Sequence, residues 1–117
     1  MLREALGGRR IGITGSTGFL GTALVERLVR CVPDCEVALL VRPGRRGAAD
    51  RVRREIFKNN CFDRLRRELG EGFEEEMRRR VLVMAGDVGA DGLGLDAAGE
   101  ELLGSCQIVI HSAAAVS

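Results

Sequence analysis

Apolar residues along this chain fall into four short blocks separated by helically spaced stripes. The blocks are residues 10 to 14 (RIGIT), Glu36 to Val41, VLVMA at 81 to 85 and IVIHS at 108 to 112. Short apolar runs bounded by turn residues read as strands buried on both faces, as in a parallel sheet. Phe19 to Arg30 reads as the first helix, with Leu20, Leu24 and Leu28 on one stripe, Glu26, Arg27 and Arg30 off it, and Pro33 and Asp34 ending it. A charged segment from Asp50 to Arg80 repeats Val52, Ile56, Leu65, Leu69, Phe73 and Met77 at helical spacing. It is interrupted near Asn59 to Cys61 and at Gly70 to Gly72, which predicts two or three helices. Asp96 is placed to cap a short helix through Leu103. Strands alternating with helices predict an α/β fold with a Rossmann-like parallel sheet in strand order 3-2-1-4, incomplete at four strands.

The first strand empties into Gly15, Gly18 and Gly21, within IGITGSTGFLG. Such a triplet alone serves a tight turn as readily as a ligand. Here it follows a strand and opens an amphipathic helix at the start of a β-α-β unit, the context in which helix-terminal amides cradle a pyrophosphate. Thr14, Ser16 and Thr17 add hydroxyls. The second strand ends at Arg42, where a carboxylate would grip the ribose 2′-hydroxyl of NAD; a guanidinium suits a 2′-phosphate, so the favoured cofactor is NADPH. The alternative is that Arg42 is only the first solvated residue of a basic loop. Asp87 and Val88 follow the third strand directly, where the carboxylate lies either near the adenine or in a turn bonded to its own backbone. His111, the only histidine, has no identifiable carboxylate partner and reads as structural.

The chain has 117 residues, 45% apolar and 30% charged, an ordinary globular composition for one domain. Its net charge of +1 argues against a nucleic-acid partner. Between Arg42 and Glu68, however, ten basic residues face four acids. The acids interleave at helical spacing, as on a solvated face, and the alternative is attraction of a phosphate-rich ligand. Cys31, Cys35, Cys61 and Cys106 lack zinc-site spacing and read as reduced thiols of an intracellular protein. The longest apolar run, VALLV, is far short of the roughly 20 residues a membrane helix needs. Arg9 and Arg10 precede a glycine-rich stretch that reads as the first strand rather than an export signal. No metal-ligand set, nucleophile elbow or paired carboxylates stand out.

TGSTGFLG, LLVRPGRRG at 39 to 47, NNCFDRLRRE at 59 to 68, AGDVGADGLGL at 85 to 95 and HSAAAV together resemble the amino-terminal part of a fatty acyl-CoA reductase, of the male-sterility type within the extended short-chain dehydrogenase/reductase superfamily. The resemblance implies an NADPH-dependent reductase that converts long-chain fatty acyl-CoA, through an aldehyde, to a fatty alcohol. A thioester reductase domain of a carboxylic acid reductase or peptide synthetase is the nearest alternative, and a non-catalytic nucleotide-binding module the next.

Carried over by position, the family's cofactor loop falls on Thr14, Gly15, Ser16, Thr17, Gly18, Phe19, Leu20 and Gly21. Its 2′-phosphate reader falls on Arg42, its adenine side on Asp87 and Val88, and the small residues beside ribose and nicotinamide on Ala113 and Ala114. The family's Tyr-x-x-x-Lys pair has no counterpart, because the chain has no tyrosine and one lysine, Lys58. No catalytic residue is therefore assigned. Residues 1 to 117 are expected to form part of a dinucleotide-binding domain and to be inactive alone. With the outer strands short of neighbours, the isolated chain is expected to aggregate or to be poorly ordered near residues 105 to 117. The complete protein is expected to be intracellular, at peroxisomal or endoplasmic reticulum membranes.

Overall fold

The computed structural model describes residues 5–32 and 34–112. Four parallel strands, β1 (Arg10–Thr14), β2 (Glu36–Val41), β3 (Val81–Ala85) and β4 (Ile108–His111), form one sheet in the order β3-β2-β1-β4. The predicted order and all four strands are thus present. Register sets Thr14 beside Leu40 and His111, and Val41 beside Ala85. The carboxyl ends of the four strands consequently share one edge, the edge at which ligands of open α/β sheets sit.

Strand alternation divides the core in two. Ile11, Ile13, Val37, Leu39 and Val41 face the larger cluster, against Val25, Leu28 and Val29 of α1 (Phe19–Cys31). The charged segment completes that layer as α2 (Ala48–Val52), a π-helical turn (Arg53–Phe57), α3 (Asp63–Leu69) and α4 (Phe73–Arg80). Short 3-10 turns at Asn60–Phe62 and Gly70–Gly72 occupy the two predicted interruptions. Phe57, Phe62 and Phe73 pack edge-on with ring centroids 5.7 to 6.4 Å apart. On the opposite face Ala38, Leu40 and Met84 pack beneath α5 (Ala97–Gly104) and the loop before it. Asp96 caps α5, accepting the Gly99 amide at 2.8 Å.

The stripe predicted for α1 is displaced. Leu20 is 73% exposed, and the buried positions are Gly21, Thr22, Val25, Glu26, Leu28 and Val29. Gly21 faces inward because a Cβ there would lie 2.0 Å from the Gly15 carbonyl oxygen, so the helix can approach the loop only through a glycine. Glu26 is tolerated inside because Arg30, one turn on, pairs with it at 2.8 Å.

The interleaved acids of the basic segment pair along the helices: Arg51 with Glu55, Arg53 and Arg54 with Asp50, Arg64 with Glu68 and Arg66 with Asp63. Half of the ten basic residues are therefore ion-paired along the helices. Arg42, Arg45, Arg46, Lys58 and Arg67 have no ion pair among the described residues. Cys35 is buried, and partial burial pushes the Cys61 and Cys106 thiols above the ordinary range.

Candidate functional site: a phosphate cradle at the sheet edge

The loop between β1 and α1 turns sharply at Gly15, whose φ of 73° lies in the left-handed region open to glycine. The Gly18 amide closes the turn on the Gly15 carbonyl at 3.1 Å. Thr22, in the first turn of α1, donates its hydroxyl to the Ser16 carbonyl at 2.6 Å and ties the helix start to the loop. No side chain caps α1. Its first amides therefore remain open donors at the positive end of the helix dipole.

Ser16 is 1% exposed, and its hydroxyl has no hydrogen-bond partner among the described residues. A buried unpaired hydroxyl is costly unless a ligand satisfies it. Beside the loop, a cavity of about 180 Å³ is lined by Gly15, Thr17, Arg42, Arg51, Asp87 and Val88 with the end of β2. The glycine turn, the arginine after β2 and the acid after β3 thus converge on one space, although they are far apart in sequence. The open helix amides beside the cavity and the two guanidinium-bearing residues that line it suit a dinucleotide phosphate, while the orphaned Ser16 hydroxyl lies buried behind the lining.

The individual residues divide as follows. Arg42 is exposed, with its guanidinium unpaired among the described residues. Asp87 takes the turn position that the sequence allowed, its Oδ1 accepting the Gly89 amide at 2.9 Å, and it also lines the cavity. Val88 lines the cavity and is half exposed. Phe19 and Leu20 open α1 with exposures of 89% and 73%, standing outward rather than lining the cavity. Gly18 and Gly21 shape the loop and helix. Thr14 is buried and hydrogen-bonded to His111 Nδ1 at 2.9 Å. Ser112 donates its hydroxyl to the Thr14 carbonyl at 2.6 Å, so β4 locks onto the base of the loop and His111 has a structural partner. Ala113 and Ala114 lie outside the described residues.

Two residues escaped the sequence reading. Arg51 lines the cavity from α2, held by Glu55 at 2.6 Å and by the Arg42 carbonyl at 2.8 Å. In the sequence it is one arginine among ten basic residues, and only the fold of the 42–47 loop brings it back to β2. Gly86 is the other: a Cβ there would fall 2.5 Å from the Leu93 carbonyl oxygen and 2.6 Å from a Leu40 methyl. Among the described residues no cluster of metal-ligating side chains is present, and no helix is long and apolar enough to cross a membrane.

The family model described as male sterility protein, an NAD-binding domain, matches residues 13–117. The chain is 38% identical over 95 residues to fatty acyl-CoA reductase 1 of Arabidopsis thaliana, covering 79% of this chain and 19% of that protein. It is 32% identical over 111 residues to fatty acyl-CoA reductase 1 of Gallus gallus, covering 93% of this chain and 21% of that protein. The chain therefore spans about a fifth of the length of these relatives. Among solved structures, the terminal R domain of the myxalamid biosynthetic pathway superposes with a TM-score of 0.69 at 28% identity, over 93% of this chain and 25% of that one. The reductase domain of a non-ribosomal peptide synthetase from Mycobacterium tuberculosis gives 0.66 at 35% identity, over 92% of this chain and 24% of that one. Sheet order, glycine cradle and these matches agree, and the chain belongs to the male sterility family of NAD-binding reductase domains.

Proposed function

We propose that this chain holds NADPH for a reductase that converts long-chain fatty acyl-CoA, through an aldehyde, to a fatty alcohol. The observation that carries this reading is the convergence of the Gly15–Thr17 turn, Arg42, Arg51 and Asp87 on one cavity. NADPH, when bound, supplies the hydride. The chain's residues bind and orient it: the loop and the start of α1 offer amides to the pyrophosphate. Arg42, whose guanidinium has no ion pair among the described residues, and Arg51, paired with Glu55, present two guanidinium groups suited to a 2′-phosphate, where planar donors fit phosphate oxygens. Asp87, with one oxygen engaged in its turn, keeps the other for the adenosine side. Arginines at this position disfavour a cofactor chosen by a ribose-gripping carboxylate.

The acid chemistry of the reduction is not held by these 117 residues, which have no tyrosine and whose only lysine, Lys58, lines a different cavity. A thioester reductase acting on a carrier-bound acyl group is the second reading, favoured by the likeness to peptide-synthetase reductase domains. Palmitoyl-CoA and NADPH, offered to this chain and to any longer product that contains it, test the assignment. The expected result is no NADPH oxidation by the 117 residues and hexadecanol from the longer product. Turnover by the 117 residues alone, or a longer product that accepts only carrier-bound thioesters, would overturn it.

A further inference from the structure

A second cavity, of about 430 Å³, lies over β3 between α2 and α4 and shares no lining residue with the cradle. Its walls are apolar: Val52, Phe57, Phe73, Met77, Val81 and Val83. Four cations, Arg53, Lys58, Arg66 and Arg78, line it against one carboxylate, Glu74. The acids that pair with three of those arginines, Asp50, Asp63 and Glu75, are not among the lining residues. Lys58 has no partner among the described residues, so an occupant meets a positive rim with one unneutralised ammonium.

The backbone explains how that ammonium arrives there. In an α-helix, residue i+5 sits about 140° around the axis from residue i. The wider π-helical turn Arg53–Phe57, bonded i to i+5, brings Lys58 nearer the side of Arg53 than an α-turn would. Both then border the same opening. An open-mouthed apolar pocket of this size with a few convergent charged groups has the make-up of a small-molecule site.

We propose that this cavity binds a single-chain amphiphile with an anionic head, a medium-chain fatty carboxylate being the simplest. The tail lies against Phe57 and Val83, the half-buried apolar members of the lining, and the head sits at Lys58. The inference does not depend on the cofactor assignment.

Calorimetric titration of the 117-residue chain with dodecanoate below its micellar concentration, paired with amide chemical-shift mapping, tests it. One dodecanoate is expected per chain, with shifts at residues 49–58 and 73–83 and none in the 15–21 loop. Lys58→Glu should weaken binding by about fivefold or more, the scale of losing one exposed ion pair. Ala49→Phe should fill the cavity and remove binding, and dodecyltrimethylammonium should not bind. Absence of binding, shifts mapping elsewhere, or equal uptake of the two amphiphiles would overturn the proposal. If Ala49→Phe fails to fold, Lys58→Glu and the shift map decide alone.

Discussion

Arg51 donates through Nη1 to the main-chain carbonyl of Arg42 at 2.8 Å while its Nε holds Glu55 at 2.6 Å. One guanidinium thereby fixes the end of β2 and faces the same cavity as the Arg42 side chain. A lysine could not make both bonds, because its single ammonium lacks the planar fork. Arg51→Lys and Arg51→Met should both weaken NADPH binding, by about tenfold for a charged hydrogen bond of roughly 1.5 kcal/mol or more. NADH affinity should fall less. Titration of both nucleotides checks the split.

Gly21 and the Gly15 carbonyl leave no room for a side chain, since a Cβ at residue 21 would stand 2.0 Å from that oxygen. Gly21→Ala should push α1 off the loop, destabilising the chain by about 1 to 3 kcal/mol, as overpacking does, and reducing nucleotide affinity. Gly18→Ala meets only one atom, at 3.4 Å, and should cost much less. Urea unfolding of the two variants provides the comparison.

These glycines mark how far the sequence could be read. Strand order followed from the alternation of apolar runs with helical stripes, and the cradle from glycine spacing after a strand. The buried face of α1 did not follow, because Leu20 looks like core by hydrophobicity and only the Gly21–Gly15 approach turns it outward. Arg51 was hidden for a different reason. Its role depends on a loop returning α2 to the end of β2, and periodicity carries no information about that return.

Arg80 is a buried guanidinium that joins α4 to the loop before β2. It donates to the Val32 carbonyl at 2.7 Å and the Cys35 carbonyl at 3.0 Å, with Glu76 at 3.4 Å. Arg80→Met would leave two buried carbonyls unpaired and should cost about 3 kcal/mol. Arg80→Lys should recover only part of it. Chemical denaturation measures both.

The bond from Arg79 to Glu76, helped by Arg80, holds the Glu76 carboxyl below its ordinary value of about 4.5. A depressed folded-state value means that the folded chain resists protonation, so this contribution is complete above about pH 4.5 and is lost as pH falls through the folded value. Arg54, then Arg53, lowers Asp50 in the same direction. Glu76→Gln should lower stability at pH 7, where the contribution is complete, and its difference from the wild type should shrink as pH falls through the folded value, flattening the acid side of the profile. Melting temperature against pH reads this.

β4 pairs only with β1 in the described sheet and alternates half-buried with exposed positions, whereas β2 is buried from Val37 through Val41. Amide exchange should be markedly faster across Ile108–His111 than across Val37–Val41, with Val109 contributing exposed apolar surface. Equal protection would contradict the exposed edge.

The central claim is that the glycine cradle and the arginine after β2 together select a 2′-phosphorylated dinucleotide. Calorimetric dissociation constants for NADPH and NADH, on the wild-type chain and on Arg42→Asp, test it most directly. The account predicts tighter NADPH binding by the wild type and a preference that collapses by about tenfold or more in the variant, with NADH little changed. Equal loss of both nucleotides, or no preference in the wild type, would contradict it.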